Sequence, residues 1–127
     1  MSKIDQLLDR ASDKFMAADI LANHECFDDA ISRTFYGLLF CARALLLTKS
    51  LSLQDPDEVI SAFRNEFVKK GIVDSELGTL LKETKPLAEK ADFSPSFKVP
   101  DEKVKQLMEG AQLFMEQVED ALSEIEE

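Results

Sequence analysis

Apolar residues recur at three- and four-residue steps through most of this chain, which is the spacing that places them on one face of a helix. The pattern predicts five helices, at about 2–22, 25–49, 56–70, 74–91 and 101–125. Short connections between amphipathic helices favour an up-and-down antiparallel bundle. No composition shift or linker interrupts the pattern, so the sequence predicts an all-α fold with one domain over residues 1–127.

The helical pattern is interrupted at two places, and each interruption predicts a structural feature. Pro86 lies inside predicted helix four and is expected to kink it or to split it in two. The stretch 92–100 contains two prolines and two phenylalanines and is predicted to be a loop. Because Phe93 and Phe97 are strongly apolar, this loop is expected to fold back over the bundle.

Predicted helix two is unusual because it is apolar on almost every side, as in a central helix or one shared with a partner. One side is an ordinary core stripe of Phe27, Ile31, Phe35, Leu38, Cys41, Ala42 and Leu45. The other side holds Asp29 and a run of Arg33, Tyr36, Phe40, Arg43 and Leu47. This run steps by three, four, three and four residues, the spacing with which helices pack lengthwise.

Two interpretations of this second side remain open. It could pack on another helix of the same bundle, with the arginine side chains reaching out to solvent. It could also form a homodimer interface or a cleft beside one, because arginine and aromatic residues are enriched in protein interfaces. The spacing alone favours neither.

Composition narrows the function classes. Hydrophobic residues make up 45% of the 127 residues and charged residues 31%, as in a globular protein. The formal net charge is −10, with 25 acidic against 15 basic residues, which argues against a DNA surface or broad binding to anionic membranes. A small local RNA site is compatible with this charge.

The N-terminal sequence and the cysteines suggest the cytoplasm. The first residues are charged and lack the apolar region of a signal peptide, and the longest apolar run is expected to be too short to span a bilayer. Cys26 and Cys41 have no metal-binding spacing and are expected to be reduced thiols.

No metal or cofactor site is predicted. The adjacent acids Asp28 and Asp29, and the pair Asp55 and Asp57, lie at helix starts, where capping and interaction with the helix dipole explain them better than metal binding. The chain has no glycine-rich phosphate loop.

The second helix resembles that of the HEPN (higher eukaryotes and prokaryotes nucleotide-binding) domain family, especially its small stand-alone prokaryotic members. Their helix typically reads A-x-S-R-x-Y-Y-A-x-F-H-A-A-R-A-L-L, and residues 30–46 here read AISRTFYGLLFCARALL. FRNEFVKKGIV (63–73) and AEKADFSPSFKV (88–99) also match family stretches, in the same order. The resemblance therefore covers nearly the whole chain.

The resemblance implies a helical dimer with helix two near the dimer cleft. Many HEPN proteins are metal-independent ribonucleases, often toxins paired with a small nucleotidyltransferase, and use an arginine and a histidine on this helix. The arginine is present here as Arg33, but Phe40 stands where these relatives carry histidine, and Ala88 stands at another frequently basic position. His24, the one histidine, falls in a predicted turn and is expected to be solvated.

The leading hypothesis is a non-catalytic or weakly catalytic HEPN-like homodimer that binds a nucleotidyltransferase partner, and nucleotide or RNA near Arg33, Tyr36 and Arg43. Tyr36 could contact phosphate, be modified by a partner, or simply pack in an interface or core. The alternative is a ribonuclease with a rearranged site, for which Arg33 is the candidate catalytic residue. The third hypothesis is a helical interaction module without a nucleotide role.

Overall fold

The computed structural model describes residues 2–126 and contains five α-helices with no strand among those residues. The helices are α1 (Lys3–Asn23), α2 (Phe27–Leu47), α3 (Pro56–Phe63), α4 (Ser75–Phe93) and α5 (Asp101–Glu126). A π-helical turn, Arg64–Val68, continues α3. The predicted all-α bundle is confirmed, and the long helices begin and end within two residues of their predicted limits.

Local signals account for the helix ends. The hydroxyl of Ser2 accepts a hydrogen bond from the backbone N–H of Asp5 at 3.1 Å, which caps α1. Asp55 caps α3 in the same way. Gly71 has a φ of +72°, a left-handed conformation that glycine adopts without strain, and the chain turns there toward α4.

The central helix is α2, with twelve of its 21 residues buried. Contrary to the sequence expectation, this helix is long and apolar enough to cross a membrane by length and composition alone. However, 72% of the most apolar 18-residue segment of α2 is buried inside the bundle. Packing against the other helices therefore accounts for the composition of α2.

Close approach of α1 to α2 depends on Gly37. A side chain at this position would overlap the ring of Phe15, so the missing Cβ lets the phenyl ring lie directly on the α2 backbone. The short turn 24–26 between the helices makes them antiparallel neighbours.

Three aromatic rings form the centre of the core between α3, the π-helical turn and α5. Phe63 stacks on Phe114 with a centroid distance of 5.3 Å and an interplanar angle of 21°. Phe67 lies against Phe63 with a centroid distance of 6.0 Å. All three are fully buried, so they tie the short third helix to the last one.

Two sequence expectations were wrong in part. Pro86 does not split helix four, because α4 is continuous across it and the residue lies on the exposed side. Phe97 packs against the core as predicted, but Phe93 is 83% exposed. The reason is that α4 extends through Phe93, which puts it about 140° around the helix from the buried Ala88.

Candidate functional site

The second side of α2 predicted from the sequence forms a line of residues that the bundle leaves partly open. We call this line the outer stripe; it consists of Arg33, Tyr36, Phe40, Arg43 and Leu47. None of these residues is among the buried residues of α2. Arg33 and Tyr36 are exposed, whereas Phe40, Arg43 and Leu47 are half-buried.

Helix α1 lies beside the outer stripe at Phe40 and leaves Arg33 and Tyr36 uncovered. Phe40 packs against the core and borders a shallow hollow whose other lining residues, among them Leu7 and Arg10, lie on α1. Tyr36 is 39% exposed, and its ring contacts Phe35 at a centroid distance of 5.6 Å. The interpretation that another helix of the bundle packs on this side therefore applies at Phe40, and Arg33 and Tyr36 remain accessible.

Arg43 and Phe40 form a cation–π pair. The guanidinium carbon of Arg43 lies 5.3 Å from the centre of the Phe40 ring. Partial burial lowers the pKa of Arg43, but an arginine side chain stays protonated in proteins. The half-buried part of the outer stripe therefore holds a fixed positive charge on an aromatic face.

Arg33, in the exposed part of the outer stripe, carries a second positive charge. Among residues 2–126, no hydrogen bond or ion pair engages the guanidinium of Arg33. A guanidinium presents five N–H donors in a fixed plane that matches a carboxylate or a phosphate. Arg33 can therefore receive either group from a partner molecule.

The HEPN domain model matches residues 4–121. The chain belongs to the HEPN domain family. It is 31% identical to "Putative toxin MJ0605" of Methanocaldococcus jannaschii, over 97% of this chain and 91% of that protein. "Putative toxin MJ0142" of the same organism is 28% identical over 89% of this chain and 77% of its own length. A "UPF0332 protein" of Thermotoga maritima is 30% identical over 91% and 88%.

At the position where the family resemblance implies a histidine, this HEPN chain has the half-buried ring of Phe40. Ala88, at the other position that is frequently basic in the family, is a core residue of α4 with 2% exposure. His24 is exposed in the turn before α2, and the helix rises about 20 Å from its start to Phe40. The outer stripe contains no histidine.

Both cysteines are free thiols, and Cys26 is half-buried in the turn before α2. Cys41 is buried in the core, with its Sγ 3.6 Å from the Sδ of Met115. Burial and, to a smaller extent, the charge of Glu119 raise the pKa of the Cys41 thiol far above its ordinary value. The nucleophilic thiolate is therefore suppressed at this position.

A second concave surface, a groove between α1 and α5, is only weakly indicated by the sequence. Met108 and Met115 lie on the apolar stripe of α5 and pack against the core, but both are only half-buried and also line this groove. A weak signal is present in the pattern. Glu109 and Glu116 follow the two methionines at the same seven-residue spacing, which places acidic groups along the edge of the α5 apolar stripe.

Proposed function

We propose that this HEPN protein acts by assembly and not by catalysis. It forms a homodimer through the outer stripe of α2 and binds a small nucleotidyltransferase as the partner in a toxin–antitoxin pair. Arg33, Tyr36 and Arg43 provide a surface for nucleotide or RNA on the same face. The names of the two archaeal relatives support a toxin–antitoxin setting.

Phe40 is the observation that carries this proposal. Its ring packs against the core and under the guanidinium of Arg43, where the family resemblance implies a histidine. A phenyl ring neither donates nor accepts a proton, so a phosphate held by Arg33 lacks the imidazole that the family resemblance implies for the proton transfer in RNA cleavage. We therefore expect this protein to bind RNA without cleaving it.

The exposure of the outer stripe supports the assembly role. Arginine and tyrosine are enriched among the residues that dominate the binding energy of protein interfaces. Here an exposed Tyr36 lies between an accessible guanidinium at Arg33 and the packed pair of Phe40 and Arg43. This arrangement offers a partner an aromatic contact and a charge-assisted hydrogen bond side by side.

Incubation with total RNA tests the absence of catalysis. The unaltered protein is expected to cleave no more RNA than an Arg33→Ala variant. A Phe40→His variant is expected to gain cleavage, because the imidazole supplies a proton-transfer group near neutral pH. The double variant Phe40→His/Arg33→Ala should lose that gain. Cleavage by the unaltered protein that disappears in Arg33→Ala would instead establish a ribonuclease with a rearranged site.

Co-expression tests the partner. Where the neighbouring reading frame encodes a nucleotidyltransferase, the two proteins are expected to elute together in size-exclusion chromatography. An Arg33→Glu variant should bind the partner about tenfold more weakly or worse, because an attractive charge becomes repulsive. Lys82→Glu, an equal charge change at an exposed position on α4, is the matched control. Separate elution of the unaltered proteins would contradict the proposed pairing.

A further inference from the structure

The groove between α1 and α5 has an apolar floor and a volume of about 660 Å³. Both helices supply its walls, and α2 closes its base through Phe27 and Thr34. The main apolar side chains of the groove are Phe15, Ala18, Phe27, Val104, Met108 and Met115. Methionine adapts its shape readily, and half-buried methionines are typical of surfaces that accommodate a partner's side chains.

The dimensions of the groove suit a short helix. On α1 the lining residues run from Ser12 to Asn23. Eleven steps at the helical rise span about 16 Å, which equals about three turns of a helix lying alongside. A helix of this length presents apolar side chains at positions i, i+3 or i+4 and i+7, the spacing used when a helix docks in an apolar groove.

The rim of the groove is strongly acidic. Five carboxylates border it against one cation, Lys105. The carboxylates are those of Asp19, Asp101, Glu109, Glu116 and Glu119. None of these five forms an ion pair among the residues that the structure describes. Such a rim repels phosphate groups and acidic segments and attracts lysine and arginine side chains.

From this combination of an apolar floor with an unpaired acidic rim, we infer that the groove is the docking site for a basic amphipathic helix of a partner protein. The apolar side of that helix contacts Met108, Met115 and Phe15, and its lysine or arginine side chains pair with the rim carboxylates. The inference does not depend on the partner being a nucleotidyltransferase.

This docking site is separate from the outer stripe. Thr34, in the groove, lies about 120° around α2 from Phe40. A homodimer formed through the outer stripe would therefore leave the groove of each copy open. The two surfaces can be tested by different variants and different measurements.

The test uses a fluorescein-labelled peptide of about 12 residues, long enough for three helical turns, with leucines at the helical spacing and lysine or arginine elsewhere. A second peptide keeps the leucines and carries glutamate in place of every basic residue. Fluorescence anisotropy with the full chain is expected to show saturable binding of the basic peptide that weakens as salt is added. The acidic peptide is expected not to bind.

Charge-reversal variants test whether the basic peptide binds in the groove. A Glu109→Lys/Glu116→Lys variant changes two exposed rim residues and should bind the basic peptide about tenfold more weakly or worse. Glu76→Lys/Glu83→Lys changes the net charge equally, at the same seven-residue spacing, on exposed positions of α4 that do not line the groove. This control should change the affinity by about twofold at most, since it alters charge on a helix that does not form the groove. Circular dichroism would verify that both variants remain helical.

Three results would overturn the inference. Equal weakening in the two variants would mean that the basic peptide recognises only the overall negative charge. Equal binding of the two peptides would remove the role of the acidic rim. A change in oligomeric state in the groove variant alone would identify the groove as a contact between copies of this chain.

Discussion

Replacing Phe114 with alanine is expected to lower the free energy of unfolding by about 3–5 kcal/mol. The ring is fully buried and stacks on Phe63, so the substitution removes a large apolar surface and leaves a cavity between α3 and α5. The stack against Phe63 would be lost as well. Urea unfolding followed by circular dichroism measures the change.

The same substitution at Phe93 provides the matched control. Phe93 is 83% exposed at the end of α4, so Phe93→Ala should alter the free energy of unfolding by no more than about 0.5 kcal/mol. A loss at Phe93 comparable to that at Phe114 would contradict the exposed position. It would instead favour the sequence-based expectation that this ring covers the bundle.

The helices could be predicted from the sequence because their determinants are local. Three- and four-residue spacing, the cap at Ser2 and the left-handed glycine at Gly71 each act within one or two turns of chain. Pro86 shows where local rules fail. A proline lacks one backbone donor, but its exposed position in α4 and the burial of Leu81 and Ala88 allow the helix to continue.

The π-helical turn at Arg64–Val68 is a second feature that the periodicity did not predict. Adding one residue to a turn shifts the following side chains around the helix axis, so a pattern of three- and four-residue steps averages over it. Here the turn includes the fully buried Phe67, which reaches the stack of Phe63 and Phe114. Such an adjustment is set by tertiary packing, which a single helix does not encode.

The outer stripe could be predicted from the sequence, whereas the groove could not. The outer stripe could be predicted because its five residues belong to one helix, and their spacing alone places them on one side. Whether that side is covered depends on where α1 packs, and the sequence left both alternatives open. The groove draws its residues from α1, α2 and α5, so only the folded chain brings Phe15, Phe27 and Met108 together.

Replacing Tyr36 with aspartate is expected to convert the proposed dimer to a monomer. Tyr36 lies in the middle of the outer stripe, so in a dimer through this stripe the substitution would remove the tyrosine contact and take a carboxylate out of water. Together these changes are expected to cost about 3 kcal/mol or more, which weakens the dimer by about 100-fold or more. Sedimentation equilibrium over a range of protein concentrations measures the shift.

Leu113→Asp is the control for this prediction, because Leu113 on α5 is 42% exposed and Tyr36 is 39% exposed. The two variants add the same charge at equally accessible apolar positions, yet only Tyr36→Asp is expected to dissociate the dimer. Phe40→Asp should also dissociate it, but it would destabilise each copy too, since Phe40 packs against the core. A Tyr36→Asp variant that remains dimeric, or an unaltered protein that is monomeric at micromolar concentrations, would place the assembly surface elsewhere. The exposed Arg33 would then be explained by a ligand and not by a second copy of the chain.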